Sequence, residues 1–199
     1  LELAGRDIYI REGCFNCHSQ MIRPFRHETE RYGEYSKPGE SVYEHPFLWG
    51  SRRIGPDLAR EGGKYPPLWH VQHMDDPRVI SPNSIMPGYP QLLTNLLDFD
   101  GIQARVDAMA MVGVPYGDAV NRAPAMAREQ ATILAEAILS AGGPPSLGNK
   151  EIIALVAYLE RLGMDIKVPT TVGAAPSARP DSVLQKVTPA STLISRGGR

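Results

Sequence analysis

The 199-residue chain has two cysteines, and they stand two residues apart with a histidine directly after the second, Cys14-Phe15-Asn16-Cys17-His18. Four chemistries use cysteines spaced this way. Zinc takes four ligands at defined spacing. The cysteines supply two, His27, His45, His70 and His73 are candidates for the rest, and there is no second CxxC. A redox dithiol expects a βαβ setting with a strand before the first cysteine, whereas here helical spacing precedes it. A structural disulfide would close a very small loop and contribute little by the chain-entropy argument. Covalent haem joins both thiols to porphyrin vinyl groups and places the adjacent imidazole under the iron, and C-x-x-C-H is the pattern of that attachment. Haem is the favoured reading, although so short a motif leaves the other three open.

A low-spin haem iron takes Met or His on its second axial side. Met86 lies in Ser84-Ile85-Met86-Pro87-Gly88-Tyr89, an irregular proline-braced stretch. A core methionine normally belongs to a periodic apolar stripe, and Met86 belongs to none. Met21 is too near His18 to cross a porphyrin, and Met109, Met111, Met126 and Met164 fall in or beside predicted helices. Met86 is therefore favoured, with His70, His73 and Met74 as rivals. A ligating histidine also needs its other ring nitrogen held. The Gly55-Pro56 turn offers a carbonyl, and Pro56 is the candidate. Arg52 and Arg53 beside it are candidates to neutralise haem propionates, with solvated loop charge as the plain alternative.

The elements that must position these residues read as all-α. Leu1, Ala4 and Ile8 recur at helical spacing and lead to Cys14 at or just past a helix end. Residues 19–63 are dense in Gly, Pro and charge and predict long loops with one short helical turn. Such a stretch is uncommon in a compact domain unless it wraps a ligand or serves a partner. A short helix is predicted over 67–74 and an extended loop over 77–90. Asp100 reads as an N-cap, with Gln103 in capping-box position, for a helix ended by Pro115. Another helix is predicted over 125–141, stopped by Gly142-Gly143-Pro144-Pro145. The clearest is 149–162, capped by Asn149 and ended by Gly163, with Ile152, Leu155, Val156, Leu159 and Leu162 on one stripe.

Nineteen glycines, 18 prolines and 7% aromatic residues make a thin core that something else must help to fill. The net charge of −1 argues against a general nucleic-acid binder. The apolar run 152–159 is far shorter than the ~20 residues that cross a bilayer. Residues 167–199 contain no aromatic residue and are rich in Pro, Ser, Thr, Ala and Gly, a composition that predicts a disordered tail.

The order helix, C-x-x-C-H, Gly-Pro-Asp-Leu, Met-Pro, closing helix resembles a class I cytochrome c. Longer segments, CHSQMIRPFR (17–26), ETERYG (28–33), GESVYEHPFLWGS (39–51) and GPDLAREGG (55–63), resemble the mono-haem subunit of cbb(3)-type cytochrome c oxidases. The resemblance spans about 1–116 and the last helix. It implies a cytochrome c domain over 1–166, with 98–147 as an inserted helical segment. The site it implies is one haem c linked through Cys14 and Cys17 and ligated by His18 and Met86. In that family the chain relays electrons that come from a donor cytochrome c through a di-haem partner subunit to the catalytic membrane subunit. An N-terminal membrane helix, missing ahead of Leu1, would hold it on the periplasmic face of the bacterial inner membrane, and the 19–51 loop would dock on partner subunits through Phe25, Phe47, Leu48 and Trp49. The chain would perform no catalysis alone. Three departures stand out: Gln91 where an aromatic residue is expected, a longer 121–148 segment, and a tail without counterpart. A stand-alone periplasmic electron carrier is the alternative, and a haem enzyme or gas sensor would need an open iron position.

Overall fold

The computed structural model describes residues 1–165, so the tail expected to be disordered lies outside the described residues. Among these the chain forms seven α-helices: α1 (Glu2–Arg11), α2 (Arg26–Tyr32), α3 (Pro67–Asp75), α4 (Pro77–Ile80), α5 (Ile102–Met111), α6 (Ala123–Ser140) and α7 (Glu151–Arg161). Short 3-10 turns lie at Cys14–Asn16, Pro38–Ser41, Pro90–Leu93 and Gly117–Arg122. The described residues form no strand beyond an isolated Leu96–Lys150 bridge, so the fold is all-α and cytochrome c-like.

The core is built on α7 crossing α1. A β-carbon on Gly5 would lie 1.9 Å from the Ala154 carbonyl oxygen and 2.8 Å from the Tyr158 β-carbon, so only glycine lets the backbones meet at this depth. One turn further along α1, the Tyr9 and Tyr158 rings pack 5.4 Å apart. Of the predicted stripe, Ile152, Leu155, Val156 and Leu159 are buried on α7 while Leu162 is half-buried just past its end, and Ile153, Ala154 and Tyr158 are buried too. Periodicity marked one face; α1, α3 and α6 cover α7 on several.

Three local expectations change. The stretch after Asp76 turns into α4, because the Asp76 carboxylate caps the Arg78 N–H at 3.1 Å and Pro77 supplies a ready helical φ. Asp100 does not cap α5; Gly101 holds that position, with its own N–H on Asp98 Oδ1 at 2.9 Å, while Gln103 reaches Asp107 and the Val120 carbonyl. Lys150, not Asn149, precedes α7, since the Asn149 carbonyl accepts the Leu97 N–H at 2.9 Å in the bridge region. Gly163 ends α7 in the left-handed region as expected (φ +76°).

The 19–63 segment has little regular structure and is fastened by side chains. Glu28, almost fully buried, accepts from the Arg23 backbone and guanidinium and from Arg53 at 2.7 Å. Arg53 also donates to Ser19 Oγ and the Met21 carbonyl. Arg60 grips Glu40 and the Glu34 carbonyl, and Arg6 on α1 donates to the Pro46 carbonyl at 2.7 Å. The buried Tyr158 hydroxyl meets Glu44 and Gln20, which ties the loop to α7. Removing one member of such a set strands its partner's charge out of water.

Gly5→Val overpacks the crossing against backbone and should cost at least ~3 kcal/mol, the upper end of small-to-large core changes. Gly39→Ala, where an added β-carbon meets nothing within 4 Å, should stay within ~0.5 kcal/mol in the same denaturant titration. The hydrogen bond from Arg53, reinforced by those from Arg23, pulls the Glu28 carboxyl down to about 2. Its charge-dependent stabilisation is thus complete above the ordinary carboxyl range and is lost as the pH falls toward 2. The stability gap between wild type and Glu28→Gln should shrink between about pH 4.5 and pH 2, and a gap constant across that range would contradict this assignment.

Candidate haem site

α1 ends at Arg11, and Gly13, in the left-handed region (φ +74°), turns the chain into the Cys14–Asn16 turn. That turn is closed by Cys17 N–H and His18 N–H both donating to the Cys14 carbonyl, at 3.1 and 3.0 Å. Both thiols are free. Burial, with the Glu12 carboxylate nearby, pushes the Cys14 thiol up to about 12. This suits neither a low-pKa redox dithiol nor a thiolate metal ligand without a metal's own charge beside it. Among the described residues no group of three or more His, Cys, Asp or Glu converges where a metal ion could be held, which removes support for the zinc reading.

The His18 ring is fixed from two sides. Its Nδ1 lies 2.8 Å from the Pro56 carbonyl oxygen, which can only accept, so the proton is on Nδ1 and Nε2 carries the free lone pair. Gly55 forms the cradle beneath: a β-carbon there would stand 2.2 Å from Cε1 and 2.7 Å from Nε2. The two segments are stitched together by Gly55 N–H to the Cys17 carbonyl (3.0 Å) and Leu58 N–H to the Ser19 carbonyl (2.9 Å). The buried Asp57 carboxylate completes the seam, taking Ser19 Oγ at 2.6 Å, Met21 N–H at 2.9 Å and Ala59 N–H at 2.8 Å. Burial also lowers the His18 pKa, partly offset by the Pro56 bond, so the ring is neutral at physiological pH.

His18 opens onto a cavity of about 990 Å³, at the large end for a bound organic group. Cys14, Cys17, His18, Pro56 and Met86 all line it. Met86 is half-buried on a loop laid over the end of α3: Tyr89 N–H donates to the Met74 carbonyl at 2.6 Å, and a β-carbon on Gly88 would come 2.5 Å from the Asp75 carbonyl oxygen. Leu155 and Leu159 of α7 and Tyr9 of α1 give the cavity apolar walls. A second cavity, of about 320 Å³ between the start of α1 and the end of α7, contains no cysteine or histidine.

Arg52 and Arg53 do not line the large cavity. Arg52 is exposed, and the Arg53 guanidinium is turned to Glu28, Ser19 and Asp57. Gln91, the departure from the expected aromatic, is exposed and reaches Glu12 Oε2 at 3.2 Å. His70, His73 and Met74 also line the cavity. An aromatic stack that sequence alone did not single out leads into α3: Trp69 packs on Tyr65, just before the helix, at 4.0 Å and on His73 at 4.7 Å. Their spacing of four residues was the available signal. The donor set, the Gly55 cradle and the shielded, unpartnered Nδ1 of His73 on the cavity wall suit a large, flat group with polar edges.

A comparison with curated proteins returned no match. The sequence of residues 1–166 matches the family described as "Cytochrome C oxidase, mono-heme subunit/FixO". A subunit of such an oxidase works with other subunits in a membrane-associated respiratory complex and carries one haem. No helix among the described residues is long and apolar enough to cross a membrane. With the match covering more than four-fifths of its length, the chain belongs to the mono-haem subunit family of cbb(3)-type cytochrome c oxidases.

Proposed function

We propose that this chain is the single-electron relay of its oxidase, holding a covalently attached haem c through Cys14 and Cys17, with His18 Nε2 and Met86 Sδ as axial ligands. The observation that carries the proposal is the His18 ring, locked on Pro56 and Gly55, opening onto one cavity with both thiols and Met86. The haem, when bound, supplies an iron couple that accepts and returns one electron. The residues around it keep that exchange simple. Pro56 and Gly55 hold His18 in one tautomer and one orientation, and the seam through Asp57 and Arg53 keeps that segment from moving. Tyr9, Leu155 and Leu159 line the cavity with apolar surface that a haem would cover. His18 and Met86 would together hold the iron and would leave no position for oxygen on this chain, so that oxygen reduction would fall to the catalytic membrane subunit.

Electrons would arrive from a donor cytochrome c by way of a di-haem subunit, at the periplasmic face of the inner membrane. The 19–51 loop divides its apolar residues in a way that supports docking. Leu48 packs toward the core and Trp49 donates to Ser41 Oγ at 2.9 Å, whereas Phe25 and Phe47 are 50% and 41% exposed. The two exposed rings are the contacts we assign to partner subunits.

The visible spectrum of haem-loaded protein tests the ligand set. A low-spin c-type spectrum with the weak methionine–iron charge-transfer band, unmoved by carbon monoxide in the reduced state, is expected. A high-spin spectrum that shifts with the gas would mean an open iron position and a catalyst or sensor. In a haem-loaded Met86→His variant the midpoint potential should fall by on the order of 0.1–0.3 V, within the ~0.8 V span that axial ligands govern. An unchanged potential would remove Met86 from the ligand set.

A further inference from the structure

Beside the ligand set, the cavity wall carries the buried His70, paired with Glu160, which is 23% exposed and outside the cavity lining, and the electron-transfer reading gives the two no task. His70 of α3 is 1% exposed and lines the large cavity. Its Nε2 lies 3.4 Å from Oε1 of Glu160 on α7, yet both atoms are shielded from solvent and neither has a hydrogen-bond partner. The other Glu160 oxygen accepts the Gly63 N–H at 3.1 Å, so the carboxylate is held in place. With the His70 ring proton on Nδ1, Nε2 and Oε1 would be two acceptors facing each other out of water, an unfavourable contact that one added proton between them would relieve.

We propose that His70 and Glu160 together bind one exchangeable proton at the wall of the haem cavity, and that reduction of the haem is accompanied by uptake of that proton. The inference rests on the reading that the haem fills this cavity. On reduction, one electron from the donor converts ferric to ferrous iron and one proton from water joins the pair; on oxidation both leave. An added negative charge in a cavity walled by apolar side chains is weakly screened, so it raises the proton affinity of a nearby buried site.

The surroundings favour a neutral, proton-sharing pair. Lys64 and His73 face His70, and burial with these two pushes its imidazole down to about 4. Burial raises the carboxyls of both Glu160 and the adjacent Glu61, the latter 3.5 Å from Lys64. Tyr65 and Trp69 present their rings edge-on to His70 at 6.3 and 5.2 Å and add no charge. Burial disfavours charge on either partner, so a proton that the two share titrates with the pair as a unit.

The midpoint potential of haem-loaded protein, measured between pH 5 and 9, tests this together with the protons taken up per electron in weakly buffered solution. We expect a window in which the potential falls as pH rises, approaching ~59 mV per tenfold change in proton concentration where one proton accompanies one electron, with matching proton uptake. Glu160→Gln should flatten that window while the low-spin spectrum stays unchanged. Glu61→Gln, outside the pair, should keep the slope and displace the window. If Glu160→Gln does not retain haem, His70→Gln reports on the same pair through the same slope. A wild-type potential independent of pH would overturn the proposal, as would a slope equally present in the pair variants. Failure of the underlying haem reading would show separately, as a wild type that takes up no haem or gives a high-spin spectrum.

Discussion

The contact of α1 with α7 at Gly5 sets the position of nearly everything else. Because no side chain stands between Gly5 and the Ala154 carbonyl, the two helices cross at backbone distance. That depth fixes where α1 runs out, and hence where Gly13 turns the chain into the cysteine-bearing turn. The same crossing places Leu155 and Leu159 on the cavity wall. At its far end α7 meets the 59–63 loop just as closely: Gly62 N–H donates to the Leu162 carbonyl at 2.8 Å, and a β-carbon on Gly163 would strike the Ala59 carbonyl oxygen at 2.5 Å. A helix pair therefore controls both edges of a site to which it gives only wall residues.

The second frame is polar. A segment with so little regular structure as 19–63 cannot satisfy its backbone through ladders or helices, so side chains take that role. Asp57 is the hub, accepting two backbone N–H groups and the Ser19 hydroxyl while Arg53 faces its charge. Arg53 then connects to Glu28, and Glu28 to Arg23. Each charge in this chain of contacts is tolerable only because the next is present. The outcome at the site is that the Pro56 carbonyl stands still, and with it the tautomer of His18. An arginine beside the candidate haem turn can thus hold the His18 segment without lining the cavity.

That Cys14, Cys17, His18 and Met86 line one cavity was legible as far as covalent haem attachment would demand residue types at fixed spacing, with one place for them in a chain of two cysteines, and as far as Met86 belongs to no periodic stripe. The arginines were harder to read. Their distance along the chain from Pro56 says where the backbone goes but not which way a long side chain points, and Glu28, the partner that turns Arg53 away from the cavity, lies 25 residues earlier. The helix caps failed for a related reason: Asp100 and Asn149 have the right chemistry, but the neighbouring Asp98 and the pairing of Asn149 with Leu97 decided the register. The wide burial of α7 exceeded its stripe because how many partners a helix meets is settled by the rest of the fold.

The charge inventory of the cavity wall gives the site its electrostatic character. Around an iron that changes charge by one unit, a water-filled or arginine-lined pocket would screen the change locally. Here the wall is mostly apolar or aromatic, with Lys64, Glu61 and the His70–Glu160 pair gathered at one edge where α3, α7 and the 59–64 loop meet. A charge change in such surroundings acts chiefly on the groups that can move a proton, because the fixed dipoles are already committed to hydrogen bonds and the backbone is pinned by close helix contacts. On the proposed reading, the rigidity that would suit an electron relay would also direct the influence of an added charge to the edge where the His70–Glu160 pair could answer it with a proton.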